Sequence, residues 1–351
     1  MVRILSIETS CDETAFALIE ASGELKAPKF KILKHLVASQ IKIHAPFGGV
    51  VPNLAKREHL INLPILYKEI EEIIGKKKLD AIAVTVGPGL EPALWTGVEF
   101  AKKIHKEWKK KNPNIKLIGV NHMEGHLFSF LLSQPQKDSK FEILGSTLKK
   151  AFPAIALVVS GGHTILLKMD SMEKWKKLGE TRDDAVGEAF DKVARMLNFS
   201  YPGGPEIERH AKEGNPHAIE FPRPMIHDKN FDFSFSGLKT SVLYYLRDHK
   251  NVNVNDVAAS FQQAAIDVLS NKVGKAVEQY KAKAILLSGG VASSAALREA
   301  LKLKSEKLGC SFFAPSFEFN TDNGAMIAVS AYISILRKKN RKITAQAHIS
   351  L

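Results

Sequence analysis

The sequence predicts an internally duplicated α/β protein, and two observations carry that prediction. Two distant segments each read as an apolar strand, a tight turn and a second apolar strand: "VRILSIETS" with "TAFALIE" at 2–20, and "FPAIALVVSGGHTILLKM" at 152–169. Elsewhere single apolar strands run through glycine turns into helices, the alternation expected of a layered sheet.

Taken in order, the opening pair reads as a hairpin around the polar turn Ser10, Cys11, Asp12 and Glu13. "LDAIAVTVGPGL" is a buried strand ending in a Gly-Pro-Gly turn, with a helix from about Pro92, and "KLIGVNH" is a short strand leading into another helix. Gln134 to Lys150 reads as a surface excursion. The second strand–turn–strand unit follows, and later "KAILLSGGVASSAALREALK" reads as strand, Gly-Gly turn and helix.

Bulk properties bound the function. A chain of 351 residues has room for two lobes, and 45% hydrophobic with 25% charged residues is ordinary for a soluble protein. No uninterrupted apolar run is long enough to span a bilayer, and the start runs straight into a strand without signal-peptide features. Cys11 and Cys310 are the only cysteines, which fits free thiols in a reducing cytoplasm better than a disulfide framework. The formal charge of +13 points to an anionic partner, nucleic acid being the usual one, with a well-solvated surface as the plain alternative. Seven lysines against one glutamate lie between Lys102 and Lys116, and "RKKNRK" places five cations in six residues from Arg337 to Lys342. Alone, either run suits a solvated helix end; together they suit a phosphate backbone.

"VNHMEGHLFSF" sets His122 and His126 four residues apart with a glutamate between them, resembling the zinc-peptidase pattern H-E-x-x-H. On a helix turning about 100° per residue, the histidines share one face while Glu124 stands roughly 200° away. The protease reading therefore fails and a metal pair survives. Asn121 reads as the N-cap, with Glu124 three residues on as in a capping box. Ser160-Gly161-Gly162 and Ser288-Gly289-Gly290 end strong apolar strands. One such turn is commonly no more than a turn; two at corresponding places favour nucleotide binding, without a Walker loop or a dinucleotide fingerprint.

"IETSCDETAFAL", "GGVVPNLAKREH", "VGPGL", "NHMEGHL", "VVSGGHT", "RDDAVGEAFDKVARML", "YPGGP", "FSFSGLKT", "SFQQAAIDVL", "LLSGGVA" and "TDNGAMIA" follow one another along nearly the whole chain. In this ordered set the chain resembles the universal tRNA N6-threonylcarbamoyladenosine transferases, members of the actin/hexokinase-like (ASKHA) superfamily. The resemblance implies two lobes of duplicated ribonuclease-H-like α/β fold with a cleft between them, divided as 1–118 plus 322–351 and 119–321, the second carrying most of the nucleotide and metal site.

It further implies that His122, His126 and Asp322 hold one divalent metal, Fe2+ by family resemblance, with Zn2+ or Mn2+ compatible with two nitrogens and an oxygen. Val158, Val159, Ser160, Gly161 and Gly162 match the nucleotide loop, Asp191 and Gly204 the ribose and base positions, and Glu208 a neighbour in the same pocket. Ser294 stands where the family's asparagine touches the adenylate, and Glu91-Pro92 stands where small residues are usual. Glu13, in the first turn, is a candidate to orient or deprotonate the attacking amine, or else a turn cap; Cys11 beside it reads as a packed thiol. The implied reaction moves threonylcarbamoyl from threonylcarbamoyl-AMP to N6 of the tRNA adenosine 3′ to the anticodon, with a paralogous partner subunit and a small ATPase as partners and the cytoplasm as the location. A small-molecule kinase of the same superfamily and a non-catalytic scaffold are the alternatives.

Overall fold

The computed structural model describes residues 1–75, 77–132, 148 and 151–351. The chain forms two compact units, Met1–Lys149 with Pro315–Leu351, and Lys150–Ala314. Apart from Leu148, the excursion read at Gln134 to Lys150 lies outside the described residues.

In the first unit β1 (Val2–Glu8), β2 (Glu13–Ser22), β3 (Lys29–Ser39), β4 (Ala81–Gly87) and β5 (Lys116–Asn121) form one sheet in the order β3-β2-β1-β4-β5. The first three strands are antiparallel neighbours, and β4 and β5 continue the sheet in parallel. Short α1 (Ile41–His44) leads to α2 (Pro52–Ile74); α3 (Glu91–Lys111) joins β4 to β5, and α4 (His122–Phe128) follows β5. Strand alternation sends Leu5, Ile7, Phe16 and Leu18 to the face covered by α2 and α3, where they join Leu63, Ile70, Val98, Ile104 and Trp108 in one core. Trp108 Nε1–H donates to the Tyr67 hydroxyl at 2.9 Å, which ties the two helices. Glu91 opens α3 in its first turn with proline at its start, so the Glu91-Pro92 departure is an ordinary helix entry.

The second unit repeats the plan. Its strands are β6 (Ala154–Val159), β7 (Thr164–Met169), β8 (Trp175–Glu180), β9 (Ala284–Ser288) and β10 (Ser311–Phe313), in the order β10-β9-β6-β7-β8. Read from the β8 end, this is the order and the direction pattern of the first sheet. Its helices are α5 (Val186–Met196), α6 (Gly203–Ala211), α7 (Ser236–Asp248), α8 (Val254–Tyr280) and α9 (Ala295–Lys307). The core gathers Leu157, Leu166, Phe190, Phe233, Phe261 and Leu287.

The chain then returns to the first unit as α10 (Gly324–Leu336), buried from Gly324 through Ser334. Ser6, on the opposite face of β1 from Leu5 and Ile7, donates to the Gly324 carbonyl at 2.6 Å, so α10 covers the second face of that sheet. The division expected at 118/119 and 321/322 is therefore corrected. Strand β5 completes the first sheet by pairing with β4, α4 packs on α10, and both histidines and Asp322 belong to the first unit.

Candidate metal centre and nucleotide loops

Asn121 ends β5 and caps α4: its Oδ1 accepts from the backbone N–H of Met123 at 2.8 Å and of Glu124 at 3.1 Å. The cap starts α4 so that His122 and His126 turn one face toward Asp322, which lies just before α10. The same Asp322 Oδ1 lies 3.4 Å from His122 Nε2 and 3.0 Å from His126 Nε2, and one ligand atom from each residue falls within a 4.8 Å span. Two atoms each about 2.1 Å from a shared centre stand roughly 3.0–3.4 Å apart in octahedral or tetrahedral coordination, so the set suits a divalent cation. His126 is fully buried, and neither ring nitrogen has a hydrogen-bond partner among the described residues. A buried imidazole whose one polar neighbour, Asp322, lies outside hydrogen-bond geometry is costly unless something else satisfies it, and a cation between the two would do so.

Burial opposes a charge on His122, but the Asp322 and Glu8 carboxylates outweigh it and raise the ring to about 9. Burial likewise pushes the Glu13 carboxyl well above the usual carboxylate range, with Asp12 and Asp322 adding repulsion. Burial and the nearby carboxylates Asp12, Asp322 and Glu13 push the Cys11 thiol up, which opposes a thiolate nucleophile there. Glu124 turns away from the histidines. Its Oε1 accepts from Arg341 Nη2 at 2.9 Å, and Arg337 Nη1 lies 4.0 Å from the other oxygen. Half of the expected capping box is present: Asn121 caps the helix, while the glutamate's partner is the segment after α10 rather than the cap's own N–H.

The sequence reading missed Glu8. Its Oε1 accepts from Ser10 N–H at 2.5 Å, and its Oε2 accepts from Thr85 Oγ1 at 2.6 Å and faces His122 Nδ1 at 3.2 Å. The available signal was an acidic residue closing an otherwise apolar strand, "RILSIE", and the chain's own pattern gave it no partner.

In the second unit the two S-G-G turns meet. Val158 pairs with Ser288 across β6 and β9, and Gly289, at φ +93°, packs so tightly that a Cβ there would lie 2.2 Å from the Val159 carbonyl oxygen. Val158 and Val159 are fully buried, backbone included, so they support the turn from behind. Ser160 and His163 close the β6–β7 turn, with Ser160 N–H donating to the His163 carbonyl at 2.8 Å. Asp191 Oδ1 accepts Gly203 N–H at 2.7 Å, joining α5 to the start of α6. Glu208, on α6, accepts Ala295 N–H at 3.0 Å, and Ser294 Oγ accepts Leu297 N–H at 3.3 Å, so both side chains cap the start of α9. A 3-10 turn, Gly290–Ser293, intervenes between β9 and α9, so the glycine pair does not open directly onto the helix as its sequence suggests. Gly161, Gly162, Gly204 and Gly290 share another property: a Cβ on any of them would meet nothing within 4 Å.

The repeated strand order with its flanking helices defines a protein of the two-unit actin/hexokinase type, carrying a His–His–Asp set capable of holding a metal. Solved HypF structures share the fold: that from T. kodakarensis aligns at TM-score 0.61 with 15% identity over 96% of this chain, and a full-length HypF in the phosphate- and nucleotide-bound form at 0.60 with 12% over 98%. This chain spans about half of each, 48% and 47%.

A family profile described as tRNA N6-adenosine threonylcarbamoyltransferase matches residues 31–329. Proteins of that name are 46% identical in Fervidobacterium nodosum, over 93% of this chain and 91% of the relative, and 44% identical in Thermosipho melanesiensis, over 99% of both. The chain belongs to the tRNA N6-adenosine threonylcarbamoyltransferase family and is a transferase of tRNA modification.

Proposed function

We propose that the donor is threonylcarbamoyl-AMP and the acceptor is N6 of the tRNA adenosine next to the anticodon on its 3′ side. A bond forms between N6 and the carbamoyl carbon, the bond from that carbon to the phosphate oxygen breaks, AMP leaves, and the amine gives up one proton. The observation that carries the reading is the convergence of His122 Nε2, His126 Nε2 and Asp322 Oδ1 in a chain that also has two joined glycine turns. A kinase of the same fold has no use for the histidine set, and a scaffold has no reason to keep it.

When bound, a divalent cation supplies Lewis-acid polarisation of a carbonyl or phosphate oxygen. Fe2+ follows from the family resemblance, and two nitrogens with one oxygen also suit Zn2+ and Mn2+. Glu13, in the turn that opens β2, takes the proton from the attacking amine. In the second unit the open glycines let the adenylate approach the backbone of the Ser160–Gly162 turn and Gly204. Asp191, held beside the start of α6 by Gly203 N–H, stands at the ribose position that the resemblance implies. Glu208 and Ser294 act one step back, by fixing the start of α9. The paralogous subunit, the small ATPase and a cytoplasmic location belong to the same reading; among the described residues no helix is long and apolar enough to cross a membrane.

The test is incubation with unmodified tRNA, threonylcarbamoyl-AMP and the partner proteins, followed by mass spectrometry of the nucleosides. The modified adenosine is expected, and His122→Ala should abolish it while leaving tRNA affinity intact. Phosphorylation of a small molecule in place of nucleoside modification would overturn the reading.

A further inference from the structure

We propose that Glu8 is a positioning residue for the metal centre: its buried carboxylate holds His122 in the Nδ1–H tautomer and aims Nε2 at the cation position. Glu8 closes β1 at the centre of the first sheet and is fully buried. A carboxylate out of water must find donors, and three converge on it: Ser10 N–H on Oε1, with Thr85 Oγ1–H and His122 Nδ1 on Oε2. Its ion-pair partner among the described residues is His122.

The direction of the last contact follows from the chemistry of the pair. Ser10 N–H and Thr85 Oγ1–H both donate to Glu8, so its oxygens act as acceptors and the nitrogen facing Oε2 at 3.2 Å carries the hydrogen. Ser10 Oγ lies 3.0 Å from the same nitrogen and accepts a share of that hydrogen. With the proton on Nδ1, the lone pair is left on Nε2, the atom that faces Asp322. The opposite tautomer would point a proton at the cation and two lone pairs at each other. Backing of a ligating histidine by a carboxylate fixes ring orientation and raises ligand basicity. His126 has no such partner among the described residues, so the orienting load falls on His122. Thr85, on the neighbouring β4, locks the carboxylate in turn, which makes the arrangement a chain from the sheet interior to the metal position.

The inference rests on the metal reading above, and its test separates the two. Zn2+ affinity is measured on the full chain by competition with a chromophoric chelator, and the imidazole 15N shifts of the Zn2+-loaded protein report which ring nitrogen of His122 keeps its hydrogen. The wild type should bind Zn2+ and show His122 as Nδ1–H. Glu8→Gln, which keeps the volume and an acceptor for Ser10 N–H, should weaken Zn2+ binding about 10–100-fold and dilute the Nδ1–H tautomer, with AMP affinity unchanged. Thr85→Val, which removes only the hydroxyl that anchors Oε2, should weaken Zn2+ binding to a lesser degree, and it decides the matter if Glu8→Gln does not fold. Wild-type Zn2+ binding with an unaltered constant in the folded variants, or an Nε2–H tautomer in the wild type, overturns the role of Glu8 alone. A wild type that does not bind Zn2+ overturns it together with the metal reading.

Discussion

Gly203 and Gly204 are adjacent glycines at the start of α6, and the structure assigns them opposite consequences on substitution. A Cβ on Gly203 would lie 2.5 Å from Ala194 Cβ and 2.7 Å from Asp191 Cα, both on α5, and 3.0 Å from the Phe190 carbonyl oxygen. These are a helix backbone and a methyl group fixed to it, with no flexible end to swing aside. Gly203→Ala must push α5 and α6 apart and stretch the Asp191–Gly203 hydrogen bond, an overpacking that costs about 1–3 kcal/mol. A Cβ on Gly204 would meet nothing within 4 Å. Gly204→Ala should therefore stabilise by about 0.4–1 kcal/mol, because alanine restricts the unfolded chain and favours helix. The neighbouring variants should differ by roughly 1.5–4 kcal/mol, read as the midpoint of urea unfolding at constant slope. If Gly204 is open because an adenylate approaches there, Gly204→Ala should also weaken AMP binding by calorimetry while raising the midpoint. Equal stability of the two variants would refute the packing argument; full AMP affinity in Gly204→Ala would refute the ligand argument.

Two further outcomes follow from ion pairs. Lys192 and Lys239 both donate to Asp184, at 2.8 and 2.7 Å, and although burial works against its charge they hold its carboxyl below the usual value. A depressed carboxyl contributes stability that is present above its unfolded pKa of about 3.9 and is lost as pH falls through the folded value. Asp184→Asn should thus be less stable than wild type at neutral pH, with the gap closing in acid below about pH 4; a gap constant across an acid titration followed by circular dichroism would contradict this. In the first unit, Glu124→Gln should lose about 1.5–3 kcal/mol by removing a charge-assisted bond to Arg341 from a site where Glu124 is only 6% exposed; chemical unfolding at neutral stability would show the pair to be idle.

Much of the fold was legible because its signals are local. Strand–turn–strand units and strands ending in glycine turns are written in runs of a few residues, and both sheets grew around them. Strand β3 was not, since "KFKILKHLVAS" is half-exposed and lysine-rich, and it is held by pairing with β2 along its length rather than by its own apolar content. The assignment of residues to units also escaped a linear reading, because α10 returns from the far end of the chain to cover the first sheet. At the site, two histidines on one helix face and a distant aspartate could be named from residue types and a family likeness. Glu8 could not, because what marks it is a 3.2 Å approach to a residue 114 positions away.

The bulk charge illustrates how far a composition argument extends. A surplus of +13 suggested phosphate contacts, and two basic runs shared the credit. The structure separates them. In the run at 337–342, Arg337 is nearly buried and Arg341 half-buried, and both guanidiniums address Glu124 under α4. These two brace the helix that carries the histidines, while Lys338, Lys339 and Lys342 of the same run are exposed. On α3, Lys103, Lys106, Lys109, Lys110 and Lys111 are exposed, and the buried positions of that helix are apolar apart from Thr96. Lys111 leans its ammonium over the Trp108 ring at 4.7 Å, which orders the side chain without neutralising it. The exposed lysines of α3 therefore stay available to a nucleic-acid backbone, together with Lys338, Lys339 and Lys342 of the other run.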